Sequence, residues 1–346
     1  MKKVVVVGHF GFGHDLLNGQ TIKTKIVANE IEKNVGINEL KKIDTRGGFL
    51  TLVKLPFLLL YSVLLFRNIV VLPAQNGLRI IAPLLAVFNL FFGRKTHYVV
   101  VGGWLPEFLR DKPFLTKSLK SFDFVYVETN VMKLSLESLK LKNVVVMPNC
   151  KDLKILDKKE LNNEEKRVFQ FCTFSRVMKE KGIEESVSAI KIVNVHSENV
   201  VCCLDVYGQI EKSQEDWFDR LKSDFPEFIR YKGIVQFDKS VDVLKQYDML
   251  LFPTFYKGEG FPGTLIDSYA AGVPVIASDW HYNKEIVDDG IDGFIVPVNN
   301  VDELASKIEW CLKNQDVVCK MKEKCLLKAR NFLPEYVMKP LISSLA

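Results

Sequence analysis

Cysteine is missing from the first 149 residues, and all seven cysteines lie at or after Cys150. There is no C-x-x-C pair, the total is odd, and one adjacent pair, Cys202-Cys203, sits inside an apolar run. A disulfide framework and a thiolate zinc site are therefore excluded as organising devices. Buried reduced thiols are expected, and with them a cytoplasmic location. Met1-Lys2-Lys3 leads straight into the apolar run Val4 to Val7, without the profile of a signal peptide. Asp-x-Asp does not occur, and His9, His14, His97, His196 and His281 have no ligand spacing, so no metal and no bound cofactor are expected. No Ser/Gly linker, repeat or long polar tract is present. Lysines and arginines number 47 against 42 acids and are mixed with them, with no basic helix interleaved with aromatics. Nucleic acid is not an expected partner.

What is present is core material for two domains: 346 residues, 48% of them hydrophobic. Apolar runs alternate with helical segments throughout. Strands are predicted at Val4–Val7, Asn68–Leu72, His97–Val101, Phe124–Val127 and Val144–Met147, and again at Phe169–Thr173, Val200–Val206, Met249–Phe252, Pro274–Ala277 and Phe294–Val296. Continuous rather than alternating apolar strands imply α/β architecture with parallel sheets covered on both faces. The charged segment from Asn149 to Lys166 is the best boundary, giving domains over 1–150 and 151–332 and a C-terminal segment over 333–346.

The densest chemical information lies between Lys257 and Asp279, KGEGFPGTLIDSYAAGVPVIASD. Gly258, Gly260 and Gly263 free the backbone to turn sharply, and a helix is predicted from Thr264 to Ala271. Such a helix start presents unsatisfied N–H groups that favour a phosphate. Glu259 and Asp267 flank it, and carboxylates beside a phosphate are tolerable where they accept hydrogen bonds from neutral hydroxyls, as of a sugar and a ribose. Glycine turns and acids near helix starts are also common structural devices, and it is their order here that points to a ligand.

That order, Glu-Gly-Phe-Pro, an acid eight positions after the first, then Ala-Ala-Gly-Val-Pro-Val-Ile-Ala-Ser, resembles the donor site of glycosyltransferase family 4. Phe174-Ser175-Arg176-Val177 with Lys181-Gly182 is similar to that family's diphosphate-binding motif. Val206-Tyr207-Gly208, Tyr231-Lys232-Gly233 and the run from Tyr247 to Pro253 follow in the family's order. The resemblance implies a GT-B fold: two Rossmann-like parallel-sheet domains facing across a cleft, an acceptor-binding one and a nucleotide-sugar-binding one, with the last helix crossing back to the first. It implies a retaining, metal-independent hexosyltransferase that uses a nucleotide sugar, with uridine the commonest base in the family, and a glycan or polyprenol-linked acceptor in surface polysaccharide assembly. Arg176 and Lys181 are then the diphosphate ligands and, with Glu259, the catalytic set. Gly260, Phe261, Gly263, Thr264 and Asp267 complete the donor site. The second acid is usually Glu, so Asp267 departs from the pattern, and so does Val101-Gly102-Gly103-Trp104 where many members carry a His.

The N-terminal half matches more loosely. Gly8, Gly11 and Gly13 fall as G-x-x-G-x-G, which does not meet the dinucleotide fingerprint, and Asp44 alone is near a second-strand acid position. By the resemblance, Gly11 and Gly13 face the donor, and Asn18, Gln20, Gly103 and Trp104 are acceptor-side candidates. Two greasy segments, Leu55–Phe66 and Ile80–Phe92, are each shorter than the roughly 20 residues of a bilayer-spanning helix. They are expected as buried helices. Lys54, Arg67, Arg79, Arg94 and Lys95 around them leave peripheral contact with an anionic membrane, at the inner face, as the competing expectation. A sugar-nucleotide epimerase of the same fold and a silent glycan-binding protein stay open as alternatives.

Overall fold

In a computed structural model of the chain, residues 2–13, 19–162, 164–197 and 199–346 are described. Contacts divide it into two compact units, Met1–Asp152 with Phe332–Ala346, and Leu153–Asn331.

The first unit is a six-stranded sheet built from β1 (Lys2–Gly8), β2 (Leu40–Asp44), β3 (Phe66–Leu72), β4 (Lys95–Val99), β5 (Phe124–Val127) and β6 (Val144–Val146), ordered β2-β1-β3-β4-β5-β6. Every pairing is parallel. Val4 to Val7 are wholly buried, as a central strand covered on both faces requires. The strand β2, LKKID, is an edge strand whose lysines break the apolar run, which is why sequence pattern passes over it. The residues after Phe332 belong to this unit: Val337, Met338, Leu341 and Leu345 join the core of Val4, Val27 and Ile31. Buried His97 lies within hydrogen-bond distance of Asn68 Oδ1, 3.2 Å, and Tyr126 Oη, 3.4 Å. Tyr126 Oη is in turn 2.9 Å from Ser344 Oγ, which ties the tail to the sheet.

The second unit repeats the plan with β7 (Phe169–Phe174), β8 (Cys202–Tyr207), β9 (Ile229–Gly233), β10 (Met249–Phe252), β11 (Val275–Ser278) and β12 (Gly293–Val296), all parallel and ordered β12-β11-β10-β7-β8-β9. Strand order reverses between β7 and β10. Loops leaving the carboxyl ends of those two strands therefore diverge and leave a crevice where ligands of such sheets bind. Five of the seven cysteines are buried, and all are free thiols. Burial pushes the Cys202 and Cys311 thiols up to about 12.

The two greasy segments depart from expectation. They are helices Gly48–Leu65 and Gln75–Phe92, and each buries one stripe: Leu55, Leu59 and Val63 in the first, Leu78, Ile81, Ala82 and Leu85 in the second. The opposite stripe is bare, with Phe57 72% and Phe91 82% exposed. The second helix is long and apolar enough to span a bilayer by length and composition, contrary to the shorter segment read from sequence. It nevertheless joins adjacent parallel strands β3 and β4, so the fold holds it against the sheet.

Candidate active site

Two loops of the second unit meet at the strand-order reversal. After β7 the chain runs through Ser175 and Arg176 into a 3-10 turn, Lys179–Lys181, that ends at Gly182 and starts the helix Ile183–Val195. After β10 it passes Pro253 to Pro262 and enters the helix Gly263–Ala270. Gly182 has φ of 73°, and a Cβ there would lie 2.3 Å from the Pro253 carbonyl oxygen. Only glycine allows the two loops to press backbone to backbone at this point. Phe255 N–H donates to the Glu180 carbonyl at 2.8 Å, locking the contact.

That contact sets Lys181 against Glu259. The Lys181 ammonium donates to Glu259 Oε2, and both side chains are about nine-tenths buried. Thr254 Oγ1 stands 3.1 Å from the same carboxylate oxygen and 3.1 Å from the Glu180 carbonyl, and it accepts from Tyr256 N–H at 3.2 Å. The Tyr256 ring lies beneath both cations, 4.9 Å from Lys181 Nζ and 5.7 Å from the Arg176 guanidinium carbon. Arg176 is half exposed and bonds Glu211 at 2.9 Å. Its loop is held from the other side, because Gly208, at φ of 137°, would place a Cβ 1.7 Å from the Ser175 carbonyl oxygen.

The remaining donor-side candidates gather here. Gly260 and Phe261 are buried in the turn before the helix, which begins at Gly263. Thr264 Oγ1 donates to the Phe174 carbonyl at the end of β7. Asp267 is buried and accepts from Ser240 Oγ at 3.1 Å, so part of its carboxylate is engaged inside the unit. Sequence reasoning passed over Thr254, Tyr256, Glu180 and Glu211. Each acts through a partner distant in the chain, and no local pattern marks that pairing.

The first-unit candidates occupy the carboxyl ends of its strands. Gly11 and Gly13 have φ of 64° and 77°. Their turn is held by Asp44, whose carboxylate accepts from Phe10, Phe12 and Arg46 amides, each at 3.0 Å. Burial alone would push the Asp44 carboxyl up, but those amides outweigh it and hold it below the usual carboxylate range. The acid at the end of the second strand thus serves the loop itself. Gln20 Nε2 donates to the Leu72 carbonyl at 2.7 Å. The Trp104 indole N–H donates to the Val101 carbonyl at 2.8 Å, and its ring meets Phe108 edge-on. Gly103 precedes Trp104 and is half-buried. Asn18 lies outside the described residues. Among the described residues, no group of three or more His, Cys, Asp and Glu side chains converges as a metal site would.

Comparison with known proteins assigns a class to this arrangement. Residues 168–314, within the second unit, match the family model described as glycosyl transferases group 1. The GtfA subunit of the UDP-N-acetylglucosamine–peptide N-acetylglucosaminyltransferase of Streptococcus gordonii is 29% identical over 183 residues, 51% of this chain and 34% of that protein. The capsular polysaccharide biosynthesis glycosyltransferase CapM of Staphylococcus aureus is 30% identical over 145 residues, 41% of this chain and 36% of that one. The matched regions thus span about a third of these relatives. The structure of Anabaena HepE in complex with UDP superposes with a TM-score of 0.76 at 13% identity, covering 100% of this chain and 99% of that one. At that identity the likeness shows the fold, a two-domain Rossmann-like architecture of the GT-B class.

Proposed function

We propose that the protein is a retaining, metal-independent glycosyltransferase that moves a hexose-type sugar from a nucleotide diphosphate, a UDP-sugar, to a glycan or polyprenol-linked acceptor of surface polysaccharide in the cytoplasm. The observation that carries this reading is the buried Lys181–Glu259 pair, set at the strand-order reversal between β7 and β10 with Arg176 across the Tyr256 ring. The donor named for GtfA, the capsular role named for CapM and the UDP bound to HepE support the choice of substrate class.

The chemistry follows from where charge develops. As the bond from the anomeric carbon to the diphosphate oxygen breaks, its electron pair stays on the diphosphate, and Arg176 and Lys181 meet that charge in place of a metal ion. Lys181 is paired with Glu259. An incoming diphosphate competes for the ammonium and leaves the Glu259 carboxylate to accept hydrogen bonds from sugar hydroxyls. The acceptor oxygen then bonds to the anomeric carbon on the face the diphosphate leaves, and its proton passes to the departing phosphate oxygen. Gly260, Phe261, Gly263, Thr264 and Asp267 shape the donor end, and Gly11, Gly13, Gln20, Gly103 and Trp104 belong to the acceptor-bearing unit.

The test is a binding and hydrolysis screen against a panel of sugar nucleotides with chelator present. Selective binding and slow hydrolysis of one UDP-sugar is the expected outcome. Absence of binding to every nucleotide sugar, or activity that needs added magnesium, would overturn the reading.

A further inference from the structure

The outer face of the first unit carries more exposed apolar surface than folding requires. Helix Gly48–Leu65 presents Val53, Phe57, Leu60, Tyr61 and Leu64 at a helical spacing on its outer side, and helix Gln75–Phe92 presents Val87, Leu90 and Phe91. The helices pack side by side and run into neighbouring strands β3 and β4. The Arg94 Nε–H donates to the Val63 carbonyl at 2.8 Å and joins their C-terminal ends. The exposed leucines and phenylalanines therefore form one continuous face. The second helix also packs on helix Pro113–Lys120, whose Phe114 is 70% exposed. A contiguous apolar face of this kind marks a docking surface.

Charge identifies the occupant. From Thr45 to Pro106 the chain contains no Asp or Glu over 62 residues, while it carries Arg46, Lys54, Arg67, Arg79, Arg94 and Lys95. The adjoining helix and the residue before it add Lys112, Lys117 and Lys120, against Glu107 and Asp111 further upstream. Where both greasy helices end, Lys3, Arg67, Arg94 and Lys95 share a cavity of about 610 Å³ with no acidic side chain in its lining. Lys95 is already engaged by the tail, donating to the Ala346 oxygen at 2.8 Å and to the Ser344 carbonyl at 3.3 Å, which leaves Arg67 and Arg94 as the cations open at this end. Apolar surface bordered by an excess of cations complements an anionic lipid surface, which offers hydrocarbon below and phosphate above.

We propose that this face, centred on Phe57, Leu64, Leu90 and Phe91, docks the protein on an anionic bilayer, with phospholipid phosphates at Arg67 and Arg94. The helices lie in the headgroup boundary and do not cross it. This inference is independent of the transfer chemistry, so its success or failure is read separately.

The experiment is sedimentation of the full chain with vesicles of phosphatidylglycerol and phosphatidylcholine, or of phosphatidylcholine alone, at low and high salt. Wild type is expected to sediment with the anionic vesicles at low salt and at least tenfold less with neutral ones. F57S/F91S alters two exposed side chains and is expected to lose most of that binding with an unchanged melting curve. K54Q/R67Q is expected to lose the preference for anionic lipid. Wild type remaining in the supernatant, or both variants sedimenting as wild type does, overturns the proposal. So does a dimer that F57S/F91S dissolves, since the face would then join two copies of the chain.

Discussion

Both units are six-stranded parallel sheets with a central strand-order reversal, yet they differ in what lies at the sheet centre and on the outer face. The second buries ion pairs: Asp248 between Lys166 at 2.8 Å and Lys322 at 3.4 Å, Asp292 with Lys328 at 2.6 Å, and Glu259 with Lys181. The first buries Lys23, Glu30 and Glu128 as well, but at its sheet centre the neutral groups His97, Asn68, Tyr126 and Ser344 are joined by hydrogen bonds, and further cations lie around an apolar face. A paired buried charge is poised to exchange its partner for a charged ligand, whereas a neutral network and a bare apolar face suit a lipid or a sugar surface. Under the two proposals, one architecture would host two kinds of recognition.

The contrast is broken most severely at Lys181. Removing one partner of a buried pair leaves the other charge uncompensated, so Lys181→Ala is expected to cost about 3–5 kcal/mol of stability in urea denaturation. Donor turnover should fall by about 3 kcal/mol of transition-state stabilisation as well. In the first unit the matching probe is pH. Burial lowers the His97 pKa to about 4 from its ordinary 6.5, so the unfolded chain binds the proton more readily than the folded one. Stability contributed by neutral His97 is present above pH 6.5 and is lost as pH falls toward 4. The loss amounts to at most about 3 kcal/mol, and His97→Gln should flatten this slope in denaturation series across that window. Gly208→Ala puts a side chain where the Ser175 carbonyl sits, and a loss of at least about 1–3 kcal/mol is expected by thermal melting. Arg176→Ala should be smallest in stability, below about 1 kcal/mol for a half-exposed pair, while turnover still falls. The two variants thereby separate Lys181, the buried partner of Glu259, from Arg176, the open partner of Glu211.

The legibility of these features in sequence follows the range of the interactions. Strands β1, β3, β7 and β10 each carry a mostly apolar stretch and could be read directly. The edge strands β2 and β9, LKKID and IRYKG, alternate with charges because one side faces solvent, and no apolar run marks them. Arg176, Lys181, Glu259 and Asp267 were legible as motif residues. Thr254 and Glu211 were not, since their bonds to Glu180 and Arg176 join loops separated by tens of residues. Composition also misled at the greasy helices, because the amount of apolar surface in Gly48–Leu65 and Gln75–Phe92 does not reveal whether protein covers both stripes. The bare stripe becomes visible only once the neighbours are in place.

The most direct test of the central claim is calorimetric titration of UDP-sugars into wild type, Lys181→Ala and Arg176→Ala with chelator present. The account predicts binding of one UDP-sugar by wild type and affinity lowered at least about tenfold in each variant, as loss of a charge-assisted contact to phosphate requires. Wild-type affinity in both variants, or no binding of any nucleotide sugar, would contradict the assignment of the Lys181–Glu259 cluster as the donor site.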